Sequence, residues 1–217
     1  MISFFKNLKI SKLNKGMTYV ELIVVLSIFA VMSSIVVFNY GEFQAKVDIK
    51  NLASDIALKI VEAQKSAVSG KLIVNSLPPP DWKPAYGVYF NSSSSYDDDG
   101  SSVFNKKFIY FADFDGQKNY TGMTYSCAGE CLDIITITKN NYISAIDVCI
   151  DIPCVNVVAS LPSISITFTR PDSGAVFFSN HPILPSFDYV QITVKSPLPK
   201  KATATIKIYH SGRVQVN

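Results

Sequence analysis

Four cysteines, Cys127, Cys131, Cys149 and Cys154, fall within 28 residues of a 217-residue chain. Thiols grouped in this way either pair as disulfides outside the cytoplasm or hold a metal as thiolates. The spacings are C-x3-C and C-x4-C, neither of them the C-x2-C of a zinc knuckle, and His181 and His210 lie far off in sequence. Two disulfides are the expected state of an exported domain. The local pairs Cys127–Cys131 and Cys149–Cys154 are the expected connectivity, with crossed pairing left open by the sequence.

Carboxylates offer the second chemistry. Asp113-Phe114-Asp115-Gly116 places two acids one residue apart before a glycine, a fragment of a calcium loop. An EF-hand needs a third acid before the glycine and a closing glutamate, and both are missing. The segment therefore reads as an Asp-rich turn, with Asp113 and Asp115 as a weak calcium candidate and no metal or other cofactor expected. Asp97-Asp98-Asp99-Gly100 reads as an exposed polar loop. Neither histidine accompanies a nucleophile signature such as G-x-S-x-G, so an enzyme is not expected. Lys106-Lys107 and Lys200-Lys201 read as solvated basic pairs.

Glu21 is the acid in the least expected place. It stands at the mouth of a run from Leu22 to Gly41 without one charged residue. A carboxylate carried to bilayer depth without a partner costs several kcal/mol, which makes it a functional candidate. The alternative is an interfacial glutamate that reaches back to the headgroups.

These groups need a scaffold, and the composition says which kind. Apolar residues make up 48% and charged residues 17% of the chain, with a mean hydropathy of +0.22. That excludes a disordered chain and a polytopic membrane protein alike. The charge divides unevenly: the first sixteen residues carry Lys6, Lys9, Lys12 and Lys15 and no acid, leaving 16 basic against 17 acidic residues in the remainder. A body so near neutrality gives no electrostatic reason to expect nucleic acid. Twenty uncharged helical residues would span ~30 Å, the thickness of a bilayer core, and the basic leader keeps their N-terminal side in the cytoplasm.

Helical periodicity continues beyond this run through Ile49, Leu52, Ala53, Ile56, Ile60, Ala63 and Ala67 to a stop at Ser69-Gly70. One helix from about Thr18 to about Ser69, roughly 75 Å long, is expected to lie half in lipid and half on a soluble domain. Everything after Lys71 reads as β. The candidate strands are 72–75, 86–91, 108–112, 133–138, 143–150, 163–169, 175–179, 189–195, 203–209 and 213–216, separated by turn signals that include Pro78-Pro79-Pro80 and Ser211-Gly212. The class is α+β, a helix packed on an antiparallel sheet.

Lys15-Gly16-Met17-Thr18-Tyr19-Val20-Glu21-Leu22, followed by the apolar run, resembles the class III signal of type IV prepilins and pseudopilins. The resemblance implies a pilin-like fold, cleavage of the leader after Gly16 by a prepilin peptidase that also methylates the new N-terminus at Met17, and a role for Glu21 in assembly. It implies four segments: a cleaved leader 1–16, a transmembrane and polymerisation helix 17–41, an amphipathic helix 42–70 and a β-rich exported domain 71–217. Two departures stand out: Met17 where the family most often has Phe, and no proline between Met17 and Leu77. Further on, Ser165-Ile166-Thr167-Phe168 and the final strand–Ser-Gly-Arg–strand resemble the tail of H-type minor pseudopilins.

The implied function is a structural subunit of a type IV pilus or of a type II secretion pseudopilus. Its implied partners are other pilin or pseudopilin subunits, the peptidase/methyltransferase, an assembly-platform membrane protein and membrane lipid. The implied location is the inner (cytoplasmic) membrane, crossed once, and then the filament. The alternative is a monomeric anchored module whose β-domain captures DNA or a secreted substrate. Glu21 and the Gly16 junction separate the two, since a plain anchor needs neither.

Overall fold

The computed structural model describes residues 17–72, 83–95, 103–124, 126–150, 154–158, 161–181, 186–199 and 201–217. Gly16, the Pro78–Pro80 and Asp97–Asp99 segments, and most of the candidate strand 72–75 lie outside the described residues. The chain forms two compact units, one ending at Gly41 and the other running from Glu42 to Asn217.

A single helix, α1 (Tyr19–Ser69), begins within a residue of the expected start and ends where Ser69-Gly70 predicted. Its C-terminus is a Schellman turn. Gly70 takes φ +61°, the Gly70 N–H donates to the Ala67 carbonyl at 3.1 Å, and the Lys71 N–H donates to the Ser66 carbonyl at 3.1 Å. Glycine is suited to this left-handed position because it has no Cβ to clash.

Among the described residues of the second unit ten strands follow: β1 (Ala85–Asn91), β2 (Lys107–Asp113), β3 (Cys131–Thr136), β4 (Tyr142–Ile150), β5 (Val155–Val158), β6 (Ser163–Phe168), β7 (Ala175–Phe178), β8 (Tyr189–Lys195), β9 (Thr203–Tyr209) and β10 (Val214–Val216). They form two five-stranded antiparallel sheets, ordered β3-β2-β1-β6-β7 and β10-β9-β8-β4-β5. The expected α+β class is the one that forms, with two sheets where one was expected. β3 begins two residues before its expected start, and β5 had no counterpart among the expected strands.

The helix face read from the sequence is the buried one. Ile49, Ala53, Ile56, Ile60, Ala63 and Ala67 are at most 1% exposed and share one core with Tyr86, Val88, Phe90, Phe108, Tyr110 and Ala112 of the first sheet and with Ile146, Val190, Ile192 and Ile206 of the second. Small alanines on that face let the helix backbone come close to the strands. Polar contacts fix its rotation: Tyr110 Oη to Ser66 Oγ at 3.0 Å, Gln64 Nε2 to the Ser173 carbonyl at 2.8 Å, and Lys59 between Glu62 at 3.0 Å and Asp133 of β3 at 3.6 Å.

The first sheet is covered on its other face as well. β2 is buried along its whole length, because Phe108, Tyr110 and Ala112 face the helix core while Ile109 and Phe111 join Tyr120 and Cys131 in a second cluster. Residues 114–124 and 126–130, from the connection between β2 and β3, form this cover. The cover also explains a break in the alternation of β6. Ser165 and Thr167 are buried, the first accepting from the Tyr120 N–H at 3.0 Å and the second donating to the Lys118 carbonyl at 2.8 Å. At Gly87 the neighbouring strands β2 and β6 leave no room for a side chain, since a Cβ there would lie 2.6 Å from the Phe111 ring and 2.7 Å from the Ile166 carbonyl.

Candidate functional site

The first unit presents its chemistry at the start of α1. Thr18 caps the helix: its Oγ1 accepts from the Glu21 N–H at 3.3 Å, and the Leu22 N–H makes the first helical bond to the Thr18 carbonyl at 3.1 Å. Thr18-x-x-Glu21 has the spacing of a capping box, and an acid in the first turn also favours the positive end of the helix dipole. Glu21 and Met17 are both exposed, and the Glu21 carboxylate has no hydrogen bond or ion pair among the described residues. The cap was legible in the sequence as Thr three residues before Glu, a signal that the apolar run beside it obscures.

Beyond Glu21 the surface is apolar on every side. The large apolar residues from Tyr19 to Val37 are 45–78% exposed. Here α1 is long and apolar enough to cross a membrane. A helix that is apolar all round needs either lipid or other apolar helices as its surroundings.

The second constellation lies in the cover over the first sheet. Carboxylate oxygens of Asp113, Asp115 and Glu130 come within 4.8 Å of one another. Sequence reasoning found the two aspartates and missed Glu130, which the β2–β3 connection returns to the same place. All three act as acceptors for the loop's own backbone. Asp113 takes the N–H groups of Gly116 at 2.8 Å and Lys118 at 2.9 Å, and Asp115 takes that of Gln117 at 3.0 Å. Glu130 takes those of Phe114 at 3.1 Å and Thr121 at 2.9 Å. The Thr121 hydroxyl lies 3.2 Å from Asp115 and 3.0 Å from Glu130.

Three carboxylates this close cannot all carry charge cheaply. Burial, together with the hydrogen bond that a protonated Asp113 donates to Asp115 and the charge of Glu130, pushes the Asp113 carboxyl up, against the Lys118 and Gly116 N–H bonds that favour its anion. Asp115 is held below the ordinary value: burial opposes this, but the Gln117 N–H and the Asp113 carboxyl outweigh it. The oxygen set has the hard-ligand character that a divalent cation takes. Its geometry is already that of a loop fastened by N–H donors.

Both disulfides are local, Cys127–Cys131 with Cα atoms 4.9 Å apart and Cys149–Cys154 with Cα atoms 5.0 Å apart. Each sits where a strand pairing slips by one residue: Cys131 pairs with Phe111 after the shift between β2 and β3, and Cys149 pairs with Asn156 after the shift between β4 and β5. A bulge leaves one residue unpaired, and the short bridge fastens the chain beside it.

Lys107 does not belong to a solvated pair. It is 6% exposed, and its ammonium donates to the Thr124 carbonyl at 2.5 Å, again holding the cover. Lys106 stays at the surface against Asn140 at 2.6 Å. His210 lies against two rings, edge-on to Phe177 at 5.1 Å and tilted to Phe187 at 4.3 Å.

No family model matches the chain, and no solved structure matches it. Two fimbrial proteins of Pseudomonas aeruginosa do, each 29% identical over 91 residues, which is 42% of this chain and 58% of theirs. With an apolar helix leading into antiparallel sheets, the chain is thus distantly similar to fimbrial proteins over less than half of its length.

Proposed function

We propose that the chain is a structural subunit of a type IV pilus or pseudopilus, held in the membrane by α1 and assembled through it. The observation that carries this reading is the first unit: an uncharged helical surface, exposed on all sides, that opens on a capped turn with one exposed acid. The similarity to fimbrial proteins supports it independently. A plain anchor would be served by the apolar residues without Glu21.

In this reading a peptidase cuts after Gly16 and the Met17 amine is methylated. The new cation then lies four residues from the Glu21 carboxylate. In a bundle of apolar helices both charges would enter a low-dielectric surrounding, where leaving either unpaired is costly. Attraction between the Glu21 carboxylate of an incoming subunit and the Met17 amine of its neighbour offsets that cost and sets the axial register. Cleavage thereby becomes a gate for assembly.

Intact mass tests the first step: the membrane-extracted chain should match Met17–Asn217 plus one methyl group. Glu21→Ala tests the second. This variant should be cleaved and inserted normally yet be excluded from sheared filaments, with Glu21→Asp intermediate. Normal incorporation of Glu21→Ala would leave Glu21 as an ordinary interfacial acid.

A further inference from the structure

We propose that the base of the second unit carries a docking surface for anionic phospholipid headgroups, which holds the exported domain against the membrane before assembly. The inference rests on the anchored reading above. Its surface is built from two parts of the chain about 150 residues apart. From α1 come Phe43, Lys46, Val47 and Lys50; from the turn between β8 and β9 comes Lys201, followed by Ala202 and Thr203 at the start of β9. Together with Ile49 these residues line a groove of about 440 Å³.

Three features fit a lipid surface. The first is charge. Lys46, Lys50 and Lys201 are exposed, and none of them forms an ion pair among the described residues, whereas the nearby Asp48 is already bonded to Lys139 at 2.6 Å. Among the described residues, Glu42 is the one acid that shares the adjoining rim with Lys46 and Lys201. The second is the apolar tip. Leu198 is 80% exposed on the same turn and Phe43 is 65% exposed beside the lysines. An apolar tip with lysines around it is the pattern of a surface that sits at a headgroup boundary, where Lys stems lie along apolar groups and their ammoniums reach phosphate.

The third is continuity. Phe43 follows the end of the uncharged run at Gly41 by two residues, and Lys50 comes two helical turns later. No more than nine residues of chain therefore separate the end of the run at Gly41 from Lys46 and Lys50. The turn is not a loose arm. The Ser196 N–H donates to the Ala202 carbonyl at 3.0 Å and the Ala202 N–H to Ser196 Oγ at 3.0 Å, and Ser196 and Ala202 are both buried. Leu198 and Lys201 are thus presented on a closed base.

The test uses the full-length chain in nanodiscs of phosphatidylcholine alone, or of three parts phosphatidylcholine to one of phosphatidylglycerol. Leu198→Trp, made with Trp82→Phe so that its indole is the sole reporter, is read by emission maximum and by quenching with brominated lipid. The expected result is a blue-shifted, quenched indole in the anionic discs and a weaker effect in the neutral ones. Lys46→Gln, Lys50→Gln and Lys201→Gln should each lower the docked fraction about fivefold at low salt, from the worth of one basic residue near an anionic surface. Equal quenching in both lipids, or no loss in the triple variant, overturns the proposal. So does shielding that grows with protein-to-lipid ratio, which would assign the groove to a second copy of the chain. Resistance to carbonate extraction is measured alongside. A chain that extracts contradicts the anchored reading itself, whereas a chain that stays embedded but shows no lipid-dependent quenching contradicts the docking alone.

Discussion

The two halves of α1 carry similar residue types into opposite circumstances. Between Tyr19 and Val37 the apolar side chains lie open on every side, whereas beyond Glu42 one face is closed to solvent and the other carries lysines and acids. Alanine and isoleucine recur on the closed face at three- and four-residue spacing; valine, isoleucine and leucine fill the open half without a stripe. Apolarity alone therefore does not say what a helix will touch. Its angular distribution does, because a stripe calls for one partner surface and an apolar sheath calls for a medium.

The sharpest way to break this contrast is to make the same change in both halves. Ile60→Ala, at a site 0% exposed, should destabilise the second unit by about 2–5 kcal/mol. Ile28→Ala, at a site 51% exposed, should leave the denaturant midpoint of the second unit unchanged in detergent. A comparable loss from Ile28→Ala would mean that the halves do not differ as described.

Next in size is Gly87→Ala, which asks whether the loop-covered face of the first sheet is as closely packed as the helix-covered one. Its Cβ would meet backbone as well as a ring, so a loss of about 1–3 kcal/mol in the same denaturation assay is expected.

A smaller, pH-dependent effect belongs to Asp113. Its folded value is raised above the ordinary 3.8, so the folded chain keeps a proton that the unfolded chain releases. Stability contributed by that proton is present at low pH and is lost as pH rises through the raised value. Asp113→Asn should remove this decline from a plot of thermal midpoint against pH. The lowered Asp115 acts below the ordinary carboxylate value and so leaves the window clear. A slope that survives in Asp113→Asn would mean that another carboxyl carries the proton.

The smallest effect is expected at the cap. Thr18→Ala should cost about 1 kcal/mol of local helix stability, seen as faster amide exchange in the first turn, with no change in the second unit.

What the sequence disclosed and what it hid divide along contact range. The helix, its Ser69-Gly70 stop, and the strands with clear alternation were legible because each is written in neighbouring residues. β5 was missed because Val-Asn-Val-Val is too short to show a period. Glu130 was missed because it joins Asp113 and Asp115 only after the chain has passed over the sheet and returned. The basic groove was hidden for the same reason, since Lys201 lies about 150 residues from Lys46 and Lys50. The burial of Ser165 and Thr167 had no local signal either, because the loop that covers them comes from elsewhere.

The short bridges have a mechanical side. A disulfide shields from tension only the chain it encloses, and these two join cysteines four and five residues apart. At about 3.5 Å per extended residue each would hide roughly 15 Å of contour length. A chain pulled through its helix would thus extend almost as far with its bridges intact as with them reduced. Resistance to pulling would have to come from the strand-to-strand hydrogen bonds, loaded in shear or peeled one by one according to where the force enters the sheets.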